Sequence, residues 1–367
     1  MRVVVLGGAG DMGAEAVRDL VKFSDFDMIV IADRDLDAAK RLSESLGDPR
    51  VSVEKVDAAS EESLLQVMSE KPVVAGALGP FYRFERPIVE AVIKAEADYV
   101  SICDDHDAME AALELDEEAK AKGSKVLCGL GWTPGLSNVL ARKGYDELDQ
   151  VKSIRVFWGA SAADSEGMAV ILHTLHIFTG MVTSFSGGRQ VNVKAGSGKE
   201  VIEFPEPLGK VQTFHLGHPE PVTLPRYLEG VEDVHLKGGL AENYLNGLAR
   251  LVVSLGLTKT AERKQRLAGL LKKVMPLFPA DKKRQFSGIR VDVSGIRNGK
   301  ETTLSYAAVD HMKRLTGIPL SIGAIMMGKG FIERSGVFGP EAEGAVRTDL
   351  FIRELERRGV KVEQREL

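Results

Sequence analysis

In the first third of the chain, short apolar runs alternate with stretches of helical spacing. The runs 2–6, 28–32, 51–56, 73–78, 99–102 and 125–130 read as strands. The stretches 12–22, 61–70, 85–95 and 107–122, and a charged one ending at Leu46, read as helices. Strands and helices alternating at these lengths form βαβ units, and so a parallel sheet. Six such strands before Trp132 fit a doubly wound domain of the Rossmann type. After Gly131-Trp132-Thr133-Pro134-Gly135 the strands lengthen and alternate. Runs 289–296 and 302–309 are joined through Arg297-Asn298-Gly299-Lys300 and read as a hairpin, because Asn and Gly tolerate positive φ. The Gly- and Pro-rich stretch 195–235 reads as an irregular excursion. An apolar helix is expected over 313–327, and another over 346–358 before a last short strand. The expected division is a dinucleotide domain over 1–132, a mixed α/β substrate and dimerisation domain over 133–312, and a C-terminal segment, 313–367.

The first strand runs into Gly7-Gly8-Ala9-Gly10-Asp11-Met12-Gly13, and a helix follows. Gly8-x-Gly10-x-x-Gly13 between a strand and a helix is the dinucleotide fingerprint. Gly8 is expected to make the tight turn, Gly10 to let the pyrophosphate approach, and Gly13 to let helix and strand pack closely. Backbone amides at the helix start, from Asp11 and Met12 onward, suit phosphate. Asp33 closes the second strand 20 residues after Gly13, where a carboxylate accepts ribose hydroxyls. It favours NAD, whereas the adjacent Arg34 suits the 2′-phosphate of NADP. Gly196-Ser197-Gly198-Lys199 resembles half a phosphate loop but lacks the rest of that motif, and reads as a turn.

Composition narrows the classes. The chain has 367 residues, with 48 Lys and Arg against 53 Asp and Glu, and no basic block, which argues against nucleic acid as a partner. The longest uncharged stretches, 126–141 and 315–328, fall short of the roughly 18 apolar residues of a membrane span. The first residues lack a signal-peptide pattern, and the two cysteines, Cys103 and Cys128, do not suggest a disulfide framework. A cytoplasmic protein is expected. None of the tyrosines is followed four residues later by lysine, which excludes the usual short-chain dehydrogenase chemistry.

Several segments together resemble the saccharopine dehydrogenase-like family. They are the Gly-rich opening, Gly79-Pro80-Phe81-Tyr82, Tyr99-Val100-Ser101, Thr133-Pro134-Gly135-Leu136-Ser137-Asn138, and Thr213-Phe214-His215 through Pro225-Arg226. The tail, Ile325-Met326-Met327-Gly328-Lys329-Gly330 with Gly336-Val337, is most similar to the lysine dehydrogenase branch. The resemblance implies a dimeric NAD- or NADP-dependent oxidoreductase acting on a C–N bond through an imine. It also implies that helix 313–327 packs back on the nucleotide domain. Family members often carry Asp-Pro-Gly where this chain has Thr133-Pro134-Gly135.

In a doubly wound sheet, ligands lie beyond the carboxyl ends of the strands. Gly79 and Pro80 are therefore expected beside the nicotinamide, with Phe81 and Tyr82 walling the pocket and Thr133 reaching substrate. Amine oxidation needs a base, and Asp104, Asp105 and His106 cluster at one strand end, where neighbouring carboxylates raise one another's pKa. Asp104 is expected to be catalytic; Asp105 suits either that role or a helix N-cap. Tyr82 and His215 are further catalytic candidates, His218 a weaker one, and Arg226 a carboxylate-binding candidate. His173 and His176 read as packing residues, and no metal set is evident. Two alternatives stand beside the C–N enzyme: a catalytically silent nucleotide-binding regulator, and a C–O oxidoreductase.

Overall fold

The computed structural model describes residues 1–164, 168–274 and 285–367. They form two compact units, one of Met1–Val139 with Lys313–Gly359, the other of Leu140–Met312 with Val360–Leu367. The C-terminal stretch 313–367 is thus shared between them.

The first unit holds β1 (Arg2–Leu6), α1 (Asp11–Phe23), β2 (Met28–Asp33), α2 (Leu36–Leu46), β3 (Val51–Lys55) and α3 (Glu61–Val67). It continues with β4 (Val73–Gly76), α4 (Phe81–Lys94), β5 (Asp98–Ser101), α5 (His106–Leu113), α6 (Asp116–Lys122) and β6 (Lys125–Leu127). Next comes α7 (Leu136–Glu147), which the division crosses. In the second unit lie β7 (Gln150–Ala160), α8 (Met168–Ile177), β8 (Met181–Ser186), β9 (Arg189–Lys194), β10 (Glu200–Glu203), β11 (Lys210–His215), α9 (Glu220–Tyr227) and β12 (Asp233–Leu240). That unit goes on through α10 (Asn243–Ser254), α11 (Ala261–Val274), β13 (Ser287–Arg297) and β14 (Lys300–Asp310). The chain ends with α12 (Met312–Gly328), β15 (Gly336–Phe338), α13 (Thr348–Arg357) and β16 (Glu363–Glu366).

The first sheet is parallel, in the order β15-β6-β5-β4-β1-β2-β3. Strand order reverses between β1 and β4, which opens the crevice where this fold binds its ligands. Val3, Val4, Val5 and Leu6 of β1 are all fully buried, as a strand covered by helices on both faces requires. The seventh strand, β15, was not expected. Its backbone joins β6 in register, and Asp116 of α6 accepts the Val337 N–H at 2.9 Å. The single helix expected over 107–122 is two, and the acidic first turn Asp116-Glu117-Glu118 favours a new start there. Packing of α12 against α1 relies on Gly317, where a Cβ would lie 2.7 Å from the Met12 carbonyl oxygen.

The second sheet is mixed, in the order β10-β11-β12-β7-β13-β14-β16, with the β8–β9 hairpin attached at β12. The β13–β14 hairpin turns on Asn298 and Gly299, both at positive φ, as a two-residue turn requires. The stretch 195–235 is more regular than expected. Prolines 219 and 221 sit at the start of α9, where their missing amides do no harm. The last strand, β16, pairs with β14, which is why residues 360–367 count with this unit.

Candidate active site and nucleotide site

At the end of β1 the Gly7 amide donates to the Ala32 carbonyl at 2.8 Å, and the chain reverses into α1. The residue at positive φ is Gly7, at +72°, so the tight turn falls to it rather than to Gly8. Gly8 is needed for another reason: a Cβ there would lie 2.9 Å from the Val5 carbonyl oxygen and 3.1 Å from the Ile31 side chain. At Gly13 an added Cβ would sit 2.2 Å from the Gly7 oxygen and 2.8 Å from the Gly8 Cα, so helix and turn meet backbone to backbone. Gly10 is the N-cap of α1 and offers no capping side chain; an added Cβ would meet only the Gly7 oxygen, at 3.4 Å. The amides of Asp11, Met12 and Gly13 thus begin a helix whose approach is open, a fit for a pyrophosphate.

Asp33 ends β2. Its carboxylate accepts the Ala9 N–H at 3.1 Å on one oxygen and the Asp35 N–H at 3.0 Å on the other. It therefore pins the Gly-rich turn to the tip of β2, and each oxygen keeps a second lone pair. Arg34 beside it is exposed.

Beyond β4 the chain passes through Gly79 and Pro80 into α4, with Phe81 buried and Tyr82 half-buried. Pro80 is the N-cap of α4 and has no capping group. The acceptor comes from Asp105, fully buried at the end of the β5–α5 loop, whose Oδ2 accepts the Tyr82 N–H at 2.9 Å. Asp105 also occupies the N-cap position of α5, but makes no side-chain capping bond there and serves the neighbouring helix instead. Asp104, beside it, is partly exposed. Burial, reinforced by Asp105 and Asp107, pushes the Tyr82 phenol up and keeps it protonated. Asp105→Ala is expected to lower stability by about 1–2 kcal/mol, the worth of a helix cap. Urea unfolding measures this, and an unchanged midpoint would mean that the bond contributes nothing.

Behind this loop lies a carboxyl group that no sequence motif marks, because it sits in a helical pattern. Glu85 of α4 is fully buried. It accepts the Tyr99 hydroxyl at 3.0 Å, the Ser101 hydroxyl at 2.5 Å and the Cys128 thiol. Burial outweighs these donors and lifts its carboxyl to about 7. The Tyr99 ring fits because residue 76 is glycine: a Cβ there would lie 2.2 Å from the phenolic oxygen. Ionising Glu85 as the pH rises through 7 costs folding stability, since the folded chain holds that proton more tightly than the unfolded one.

Thr133 is buried in the loop after β6. That loop is closed by the Gly131 amide on the Pro134 carbonyl at 3.0 Å, and by Gly135 at φ +124°. Asn138 braces it, accepting the Gly135 N–H at 3.1 Å and donating to the fully buried Glu341 at 2.9 Å. Neither Asn138 nor Glu341 carried a sequence signal of this role.

In the second unit, His215 ends β11 under the Gly196–Gly198 turn. Its amide donates to the Ser197 carbonyl at 2.9 Å, and a Cβ on Gly198 would lie 2.3 Å from its ring. Burial first, then Lys237 and His235, pushes its imidazole down to about 4, so it is neutral at physiological pH. Arg226 is exposed on the last turn of α9, over the Tyr227 ring. His173 meets the His218 ring edge-on at a centroid distance of 5.3 Å, and Trp158 packs on His218 at 5.9 Å. The His218 Nδ1 lies 3.8 Å from the buried Glu220 carboxylate. His176 pairs instead with Lys264, at 2.9 Å. This His–Glu–Trp grouping joins residues from β7, α8, the β11–α9 loop and the start of α9, and no spacing in the sequence announced it.

Residues 3–127 match the model of the saccharopine dehydrogenase NADP binding domain. A carboxyaminopropylagmatine dehydrogenase of Synechocystis is 23% identical, over 93% of this chain and 92% of its own. The solved structure of a saccharopine dehydrogenase (L-Glu forming) from Saccharomyces cerevisiae superposes with a TM-score of 0.71, covering 100% of this chain and 99% of that one. At 16% identity that likeness is one of fold. Among the described residues, no helix is long and apolar enough to cross a membrane.

Proposed function

From the match of residues 3–127 to the saccharopine dehydrogenase NADP binding domain and the likeness of nearly the whole chain to a dehydrogenase, we propose that the chain is a saccharopine dehydrogenase-like enzyme that interconverts an amine, or an amine conjugate of an amino or keto acid, with the corresponding imine. The observation that carries this reading is the match along nearly the whole of both chains to a dehydrogenase named for an amine substrate. A lysine dehydrogenase type of reaction is one member of this class. Bound NAD or NADP supplies or accepts the hydride at the carbon next to nitrogen.

The chain's own groups take the other parts. Gly7, Gly8, Gly10 and Gly13, with the start of α1, hold the pyrophosphate, and the spare lone pairs of Asp33 accept ribose hydroxyls. Gly79, Pro80 and Phe81 shape the nicotinamide end. Asp104, partly open to solvent, takes the proton from the substrate ammonium, because only a neutral nitrogen has the lone pair that the reaction needs. The protonated Tyr82 phenol donates a hydrogen bond. His215, held neutral, suits hydrogen bonding to substrate better than proton transfer near pH 7. Thr133 and Arg226 are the remaining candidates for substrate contact, Arg226 through a substrate carboxylate.

The test follows reduced nicotinamide with NAD and NADP in parallel, against lysine, saccharopine, carboxyalkyl polyamines and a panel of alcohols, at mildly alkaline pH. Oxidation of an amine or conjugate is expected. Asp104→Asn is expected to lower kcat about a hundredfold or more while leaving nucleotide affinity within about threefold. Turnover of alcohols alone, or nucleotide binding with no turnover in either direction, would overturn the reading.

A further inference from the structure

Five polar or titratable side chains meet out of contact with water behind the β4 and β5 loops, and the roles assigned above use none of them. Glu85 comes from α4, Tyr99 and Ser101 from β5, Cys103 from the β5–α5 loop and Cys128 from just beyond β6; each is fully buried. A hydrophobic residue would fill such a place at lower cost, since an ionised carboxylate away from water is expensive even when it is hydrogen-bonded.

We propose that the Glu85 carboxylate is a positioning group for the reaction centre, fixing through Ser101 and Cys128 the loop that carries Asp104 and Asp105. This rests on the dehydrogenase reading above for the role of Asp104, but the geometry is independent of it. Ser101 is the last residue of β5. Its hydroxyl donates to Glu85 at 2.5 Å and also accepts the Cys103 amide at 3.4 Å. Two residues further on, Asp105 accepts the Tyr82 amide at the first turn of α4, the helix that carries Glu85. The bonds run from Glu85 through Ser101, Cys103 and Asp105 to Tyr82 and back along α4. The Leu130 amide closes on the Ser101 carbonyl at 2.6 Å and brings the end of β6 into the same frame.

A carboxylate suits this frame because it only accepts, and Tyr99, Ser101 and Cys128 all donate to it. A proton on Glu85 turns one of its oxygens into a donor, and one of the three must then turn its own proton elsewhere and accept instead. Tyr99 is held in the space that Gly76 leaves, and the Cys128 thiol stays protonated by burial. Ser101 is the group that yields, and it leads directly into Asp104 and Asp105. The other charged group felt at Glu85 is Asp105, which disfavours its ionisation. Ionisation of Glu85 thus lowers overall stability, yet it keeps Ser101 donating in one orientation, so the Ser101–Cys103 link is fixed above about pH 7 and loosened below it.

The experiment compares wild type, Glu85→Gln and Tyr99→Phe by hydrogen exchange at the Tyr82 amide and by the pH profile of kcat/KM. In wild type, protection of the Tyr82 amide relative to Glu85→Gln should be about tenfold or more at about pH 8, and lost near about pH 6. The acid limb of kcat/KM near pH 7 should be absent in Glu85→Gln, with kcat/KM low throughout. Tyr99→Phe removes a donor to the carboxylate, so its limb should move to higher pH, by about one unit. Wild-type protection and an unchanged acid limb in Glu85→Gln would overturn the proposal. If Glu85→Gln does not fold, Tyr99→Phe decides, and a limb that stays in place is the contrary result. Amide exchange needs no substrate, so the expected protection pattern without turnover would count against the dehydrogenase reading and not against this one.

Discussion

Gly13→Ala is expected to lower NAD(P) affinity about a hundredfold, or roughly 2.7 kcal/mol, and to lower the melting temperature as well. The new methyl would lie 2.2 Å from the Gly7 carbonyl oxygen and 2.8 Å from the Gly8 Cα. Both are backbone atoms, so no side chain can rotate to make room. Nor can α1 back away, because Gly317 of α12 is already packed on its other side, with room for no Cβ against the Met12 oxygen or the Ala16 nitrogen. The strain falls on the turn that has to cradle the pyrophosphate. Gly10→Ala makes the internal comparison. Its methyl meets only the Gly7 oxygen at 3.4 Å, so melting should change little while the methyl stands where phosphate approaches. Calorimetric titration with NAD and NADP, beside thermal melts of both variants, reads the two effects separately. Affinity within threefold of wild type in Gly13→Ala would mean that the turn is not the nucleotide cradle.

Asp19→Ala is expected to destabilise the first unit by about 3–5 kcal/mol. Asp19 of α1 accepts the Arg358 Nε at 2.9 and 2.8 Å and the Ser321 hydroxyl of α12 at 2.6 Å. The Arg358 side chain is 2% exposed. It also reaches Glu354 of α13, and its ring-side neighbour is Phe23, 4.3 Å from the guanidinium to the ring centroid. Removing the Asp19 carboxylate leaves a buried guanidinium with only part of its charge answered, and Glu354 places the loss toward the lower end of that range. Burial raises the Asp19 pKa despite Arg358, so desolvation outweighs attraction in this pair. It follows that Asp19→Leu combined with Arg358→Met should be much less harmful than either single change. Urea unfolding of the three variants tests this. Equal losses for the singles and the double would show that the network contributes by packing alone.

Both effects act on α1, which the sequence placed correctly by its spacing, and both depend on partners more than 300 residues away. The same contrast runs through the fold. The six strands of the expected domain, the Gly-rich turn and the Asn298-Gly299 hairpin were legible because the signal of each, an apolar run or a turn dipeptide, lies within a few residues. Strand β15 was not, since three residues, Gly336 to Phe338, carry no period, and their place depends on β6 and Asp116. In the site, the acidic cluster at 104–105 was visible as residue type. Its division of labour was not, because the Asp105 acceptor is claimed by an amide 23 residues upstream.

The sequence by itself determined the βαβ order and the nucleotide turn, because the backbone geometry of turns and the periodicity of buried faces are local. Tertiary structure alone decided that Gly7 rather than Gly8 turns left-handed, that Glu85 is a buried carboxylate among donors, and that His218 meets Glu220, His173 and Trp158. Burial, and the pKa shifts it causes, belong to the environment that distant segments build around a side chain, and residue type does not encode that environment.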